Sequence, residues 1–332
     1  MKKVVKGNNH FNNLIGGLKM STYSEQLKIF SGNSHPELAQ DLCDYLGTEL
    51  VNADVSRFKD GEIGVRTYET VRGADVFVVQ PTSPPVNENL MELLIIIDAL
   101  RRASARRITA VMPYYGYARQ DRKANPRDPI TSKLVANLLT KAGARRVLSI
   151  DFHAAQIQGF FDIPVDHLYA SPIMVDYFKD FDNSNLIAVA PDVGSVKRVR
   201  SFAESLDIPM AIIDKRRPKA NVAEVMNVIG EVDGKNVILL DDIIDTAGTI
   251  TAAADVLKEK GAKDIYACGT HALFSGPAVE RLKNAPISKI VVTNTIAQKD
   301  HGLENLEVLS VAPLVGEAID RIFKDLSVSV LF

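Results

Sequence analysis

The sequence predicts an α/β protein made of two mostly parallel sheets, each flanked by helices. Three observations carry that expectation. From Leu27 onward, short β-branched runs alternate with helical patterns, the arrangement that places helices on both faces of a parallel sheet. The strand series is interrupted at Phe160–Pro164 and resumes beyond it. The 332 residues suit two domains at roughly 150 residues each.

In chain order, Leu27–Phe30 is the first expected strand, and Pro36–Leu46 is a helix with Leu38, Leu42, Tyr45 and Leu46 on one face and Gly47 as its stop. Strands follow at Val76–Val79, Ile108–Met112 and Val147–Ile150, with a helix over Thr131–Ala142 that ends at Gly143. The second series is Leu186–Ala190, Met210–Ile213, Val237–Leu240, Ile265–Thr270 and Lys289–Thr293. We therefore expect an N-terminal domain over 21–165 and a C-terminal domain over 166–332, with the boundary near Val165. Met1–Lys19 carries four lysines, and Asn12, Asn13, Gly16 and Gly17 stand where a signal peptide needs an apolar run. Residues 1–20 read as a disordered extension, with Met20 as an alternative start.

Composition excludes several classes. Lys plus Arg is 39 against 41 Asp plus Glu, a net charge of −2, so there is no global field for gripping a nucleic acid. The densest apolar stretch, Leu90–Leu100, contains Glu92 and Asp98 and falls well short of the roughly 18 to 20 residues that span a bilayer. Cys43 and Cys268 lie far apart with no zinc-like spacing, as expected of buried thiols in a reducing cytoplasm. Gly230–Lys235 has the wrong spacing for a Walker A loop, with Asn236 where a hydroxyl is required, and no GxGxxG follows a strand.

The most informative segment begins at Val237–Leu240, four apolar residues that suit a strand buried on both faces. Asp241 and Asp242 follow at its carboxyl end, where open α/β sheets bind ligands. Asp245, Thr246, Ala247, Gly248 and Thr249 then lead into a helical run over Ile250–Lys260. Carboxylates can accept from ribose hydroxyls, while amides, threonine hydroxyls and a helix N-terminus suit a phosphate monoester. Together they describe a sugar phosphate.

This segment resembles the phosphoribosyl diphosphate motif of the phosphoribosyltransferase fold. Further stretches at Arg57–Glu62, Tyr114–Arg122, Asp151–His153, Gln156–Phe161 and Asp214–Pro218 resemble the bacterial ribose-phosphate pyrophosphokinases, also called phosphoribosyl pyrophosphate synthetases, from about Leu27 to Phe332. The resemblance implies two phosphoribosyltransferase-like domains, an ATP-binding one followed by a ribose-5-phosphate-binding one. It also implies transfer of the β,γ-diphosphoryl group of ATP to the anomeric hydroxyl of ribose 5-phosphate, for nucleotide biosynthesis in the cytoplasm.

By the same resemblance, Phe58 stacks on adenine, Asp60 and Glu62 accept from its amino group around Gly61, and Arg119 and Gln120 complete the ATP site. His153 and Asp192 are the positions used around Mg²⁺, with Asp192 the better direct ligand. Lys215 would meet the transition-state charge and Arg217 the ribose 5-phosphate or the transferring group, with Arg216 facing out. Arg101–Arg127 holds eight basic residues and one acidic one, Asp121, which we read as focused charge, and the interleaved Tyr114, Tyr115 and Tyr117 as a surface for a flat base. His10, His35, His167, His271 and His301 read as surface or packing residues.

The family's adenine pocket lies at a subunit contact, which implies a homo-oligomer, a hexamer built from dimers. Phosphate and ADP are the implied effectors, with the Ser327–Phe332 tail resembling part of their surface. Two departures stand out: Ser195 replaces a second glycine, where its Cβ would crowd a ligand, and Asn125–Pro126 replaces an Arg–Ser pair. They open the alternative of a weak or non-catalytic regulatory homologue that binds nucleotides and assembles with an active synthetase.

Overall fold

A computed structural model describes residues 26–216 and 225–331; the expected extension over 1–20 lies outside them. The first sheet is entirely parallel, in the order β1 (Leu27–Ser31), β4 (Asp75–Val79), β5 (Arg107–Met112), β6 (Arg146–Ile150) and β7 (Val165–Leu168). One of its faces is covered by α2 (Val86–Arg102) and α3 (Thr131–Ala142), which bury Leu93, Ile96, Ile97, Val135 and Leu139 against Val76, Val78, Ala110 and Val147. Between β1 and β4, β2 (Ala53–Arg57) and β3 (Ile63–Thr67) form a separate antiparallel hairpin.

The opposite face buries α1 (Pro36–Leu46), whose N-terminus is capped by His35 Nδ1 accepting the Leu38 amide and whose C-terminus stops at left-handed Gly47. The C-terminal helix α8 (Ala312–Phe323) shares this face, with Val315, Ile319 and Ile322 in the same core as Leu27, Ile29, Phe77 and Val79. Gly316 permits the approach of α8 to α1, since a Cβ there would stand 2.3 Å from the Tyr45 ring. Tyr45 is thus half exposed but in contact with α8, its hydroxyl meeting Glu317.

The second sheet runs β10 (Val225–Ile229), β9 (Met210–Arg216), β8 (Leu186–Ala190), β11 (Asn236–Ile244), β12 (Ile265–Ala272), β13 (Lys289–Thr293) and β14 (Leu306–Leu309). All neighbours are parallel except β9 and β10. α5 (Val196–Leu206), with α4 (Ser171–Phe178), covers one face. α6 (Gly248–Glu259) and α7 (Ala278–Asn284) cover the other. The chain leaves β8 toward β9 on one side, and β11 continues toward β12 on the other. That reversal puts the ligand-binding crevice of an open α/β sheet at the carboxyl ends of β8 and β11.

Two features of the expected layout change. The boundary near Val165 falls at the start of β7, which pairs with β6 through Leu168, so the first sheet continues beyond it. Residues 166–332 also do not form one body, because the apolar stripe of α8 is buried on the first sheet. Cys43 and Cys268 are both buried and unbridged.

Candidate functional site

β11 is buried through Leu240, and its next two residues carry the carboxylates. Asp241 Oδ1 accepts the Asp242 amide at 2.9 Å. Asp242 is held from two sides, by His153 Nδ1 at 2.9 Å on Oδ2 and by Arg198 at 3.5 Å on Oδ1. Burial by itself would push the Asp242 carboxyl up, but the His153 hydrogen bond and the Arg198 charge outweigh it and hold it low. Burial, reinforced by the adjacent Asp242, pushes Asp241 in the opposite direction. Asp242 in turn raises His153 above its ordinary value, against the effect of burial.

The chain then turns through Asp245 and Thr246 into Ala247, which takes a left-handed φ of 59° and starts α6 at Gly248. First-turn amides of a helix have no intrahelical acceptor, so this end of α6 presents donors beside the Thr246 and Thr249 hydroxyls. From the first sheet, Arg119 reaches across to Asp245 at 2.6 Å. Burial opposes ionisation of Asp245, yet the Arg119 hydrogen bond keeps its carboxyl below its ordinary value. A cleft of about 370 Å³ is lined by Arg119, His153, Asp192, Asp241, Asp242, Asp245 and Thr246–Thr249, and also by Ser195 and Arg198. Its walls come from both sheets.

Other expected residues lie elsewhere. Phe58 is 63% exposed at the tip of the β2–β3 hairpin, where its ring rests over Gly64. The turn is closed by the Phe58 amide donating to the Glu62 carbonyl at 2.8 Å and by Asp60 accepting the Glu62 amide, with Gly61 at φ 95°. None of Phe58, Asp60, Gly61 and Glu62 lines the cleft of its own chain. Gln120 is tied instead to the start of α3, accepting from Thr131 at 2.5 Å. Lys215 lies on β9 opposite Met226, while Arg217 falls outside the described residues.

Two readings of the basic segment do not hold. Arg106 and Arg107 precede or begin β5 and pair with buried Asp75, whereas Arg119 follows β5 at the cleft, so the strand separates the charges into two groups. Tyr114 and Tyr115 are 5% and 2% exposed, which removes them from any stacking surface. Tyr115 packs on Phe152 and Phe161 and donates to the Ser132 carbonyl, and Tyr114 packs on His271. Tyr117 is half exposed, its hydroxyl on Asn87.

Ser195 does not require glycine geometry. It has φ −86°, donates its amide to Asp192 Oδ1 at 2.9 Å and its hydroxyl to the Asp192 carbonyl, and precedes α5 without strain. Asn125 forms a turn closed by Asp128, which accepts from both its backbone and side-chain nitrogens. Sequence reasoning gave no role to Arg198 or Arg281, although Arg198 lies three residues beyond Ser195, which it singled out. Arg281 Nη1 donates to the Thr246 carbonyl at 3.0 Å and supports the loop from behind.

Residues 27–143 match the N-terminal domain of ribose phosphate pyrophosphokinase, and residues 215–332 match the phosphoribosyl synthetase-associated domain. A ribose-phosphate pyrophosphokinase of Caldanaerobacter subterraneus subsp. tengcongensis is 59% identical over 94% of this chain and 100% of its own length. One from Clostridium perfringens is 60% identical over 94% of this chain and 99% of its own. The phosphoribosylpyrophosphate synthetase crystal structure from Mycobacterium smegmatis superimposes with a TM-score of 0.86 at 44% identity, covering 90% of this chain and 99% of that one. Full-length similarity at this level, on a fold whose strand ends and anion-ready loop suit a sugar phosphate, establishes that the chain belongs to the ribose-phosphate pyrophosphokinase family.

Proposed function

We propose that the cleft between the two sheets is where this family member transfers the diphosphoryl group of ATP to ribose 5-phosphate. The observation that carries the reading is the end of β11, where paired carboxylates lead directly into a hydroxyl-rich loop and the N-terminus of α6. The 5-phosphate sits on the amides and hydroxyls of Thr246–Thr249, and the ribose hydroxyls donate to Asp241, whose oxygens face fewer competing cations than those of Asp242. The anomeric oxygen attacks the β-phosphorus, the bond between the β-phosphorus and the α,β-bridging oxygen breaks, AMP leaves and the anomeric proton passes to solvent. Such transfer depends on positioning and charge stabilisation. Arg119, with Lys215 near the end of β9 and Arg217 just beyond that strand, supplies the positive charge.

The donor set at the cleft also fits Mg²⁺. Among the described residues, Asp192 uses one oxygen for the Ser195 amide and has the other unengaged, and His153 has Nε2 unengaged while Nδ1 binds Asp242. One carboxylate and one imidazole suit an ion that draws most of its ligands from water and substrate phosphates. When bound, Mg²⁺ neutralises phosphate charge. Asp192 and His153 hold and orient the phosphate end of the substrate, and Asp242 and Arg198 keep the His153 ring in place.

The absence of Phe58, Asp60, Gly61 and Glu62 from the lining of their own cleft supports a homo-oligomer, a hexamer built from dimers, in which a neighbouring copy completes the adenine pocket. Phosphate and ADP act as effectors, and the self-closed Asn125–Asp128 turn supports weak ADP inhibition. No helix among the described residues is long and apolar enough to cross a membrane, and the unbridged cysteines support a cytoplasmic setting. Phosphorus NMR of the purified protein with ATP, Mg²⁺ and ribose 5-phosphate tests the reaction. Equal amounts of AMP and phosphoribosyl pyrophosphate are expected; release of ADP, or no turnover, overturns it.

A further inference from the structure

The sequence offers His271 as a surface or packing residue, but the structure sets it at the joint between the sheets. It sits on β12, in register with Ile243 of β11, one residue beyond Asp242. The side chain is 2% exposed. Its Nε2 lies 3.1 Å from both the Ile150 and Asp151 carbonyls, at the end of β6, and its Nδ1 lies 2.9 Å from Thr295 Oγ1. Carbonyls only accept, so Nε2 carries the proton, and Nδ1 faces the Thr295 hydroxyl, which also reaches the Thr270 carbonyl at 3.1 Å. The neighbouring Thr270 donates to Asp151 Oδ2 at 2.6 Å, and that same oxygen accepts the Ala170 amide.

The backbone at Asp151 gives these contacts a purpose. Its φ of 41° lies in the left-handed region, which non-glycine residues adopt uncommonly and aspartate more readily than most. Two residues on, His153 must meet Asp242, which belongs to the other sheet. Buried hydrogen bonds from β12 therefore fix the turn that carries His153, while β12 is itself paired to the strand that carries Asp242. We propose, building on the function assigned to the cleft above, that His271 is a positioning residue that sets His153 against Asp242 across the two sheets.

The nitrogen positions make the test specific. Glutamine places an N–H as many bonds from Cβ as Nε2, and so keeps the link to β6; asparagine reaches only the Nδ1 position, and so keeps only the Thr295 side. His271→Gln should retain kcat within about threefold, whereas His271→Asn should lose about a hundredfold, the scale of a misplacement near 1 Å. The KM for ribose 5-phosphate should move by less than about threefold in both, because the Thr246–Thr249 loop is not part of the joint. Thermal midpoints, measured in parallel, separate positioning from loss of core. Equal kcat for the two variants, or a loss that follows the midpoint alone, overturns the proposal. If His271→Asn does not fold, Thr270→Val takes its place: a fall in kcat of about tenfold supports the joint and wild-type kcat overturns it. A wild-type protein that makes no phosphoribosyl pyrophosphate would instead overturn the assigned function, whatever the variants do.

Discussion

Arg119, from the loop after β5, and Asp245, from the loop after β11, meet at 2.6 Å and join the two halves of the protein across the cleft. Both are partly solvent-exposed, with side-chain exposures of 49% and 25%, so the pair adds little to stability, about 0–1 kcal/mol. Its importance is positional. The pair puts a guanidinium assigned to ATP beside the first carboxylate of the loop assigned to ribose 5-phosphate.

Arg119→Ala should therefore leave the thermal midpoint nearly unchanged while lowering kcat/KM for ATP by about 10²- to 10³-fold, as expected for loss of a charged donor at a phosphate site. Steady-state kinetics and a melting curve on the same preparation check both halves. A large fall in the midpoint with kcat/KM preserved would make the pair a structural clasp.

Phe58 is exposed and supports no core, so Phe58→Ala should not lower the thermal midpoint. If its ring carries the adenine, the KM for ATP should rise by about 5- to 150-fold, corresponding to roughly 1–3 kcal/mol per stacked base. An unchanged KM for ATP removes the hairpin from the nucleotide site.

Diphosphoryl transfer spreads negative charge over oxygens that Lys215 is assigned to meet. Losing a group that acts mainly in the transition state affects turnover more than binding. Lys215→Ala should lower kcat by at least about a hundredfold with little change in the KM for ATP, and Arg216→Ala should be nearly silent. Comparison of the two kcat values decides the assignment, and greater damage from Arg216→Ala reverses it.

Burial lowers the pKa of His167 from its ordinary 6.5 to about 4. The neutral ring accepts the Phe152 amide through Nε2 at 2.9 Å. The folded state therefore resists a proton that the unfolded state takes up below 6.5. This contribution is complete above that value and is lost as the pH falls from 6.5 towards 4, by an amount on the order of 3 kcal/mol. His271, also buried and held below its ordinary value, acts in the same direction, and His153, held above its own, contributes over a separate, higher range. Denaturant unfolding at stepped pH should show the decline, and His167→Gln should flatten it. An equally steep decline in that variant would assign the effect elsewhere.

The β11 segment was legible because its signals are local: four apolar residues, two carboxylates, then small and hydroxyl residues opening a helix. The β2–β3 hairpin was not, because each strand is only five residues long and offers just two alternating apolar positions, Ala53 and Val55 or Ile63 and Val65, that are no more than partly buried. Periodicity also shows that a helix has an apolar face without showing which sheet receives it, and α8 returns to the first sheet through the Gly316–Tyr45 contact. Tyr114 and Tyr115 were misread because charges adjacent in sequence suggested a surface, whereas the two rings pack inward against His271 and against Phe152 and Phe161. Arg198 and His271 act on residues far away in the chain, and only the fold brings them to Asp242 and Asp151.

A crystal structure with ribose 5-phosphate, Mg²⁺ and a non-hydrolysable ATP analogue decides whether the β11 loop holds the sugar phosphate. The 5-phosphate should lie within hydrogen-bond distance of the Thr246–Thr249 amides and hydroxyls, with the ribose hydroxyls on Asp241. A sugar phosphate bound away from the β11 loop, with that loop in contact only with solvent, would contradict it.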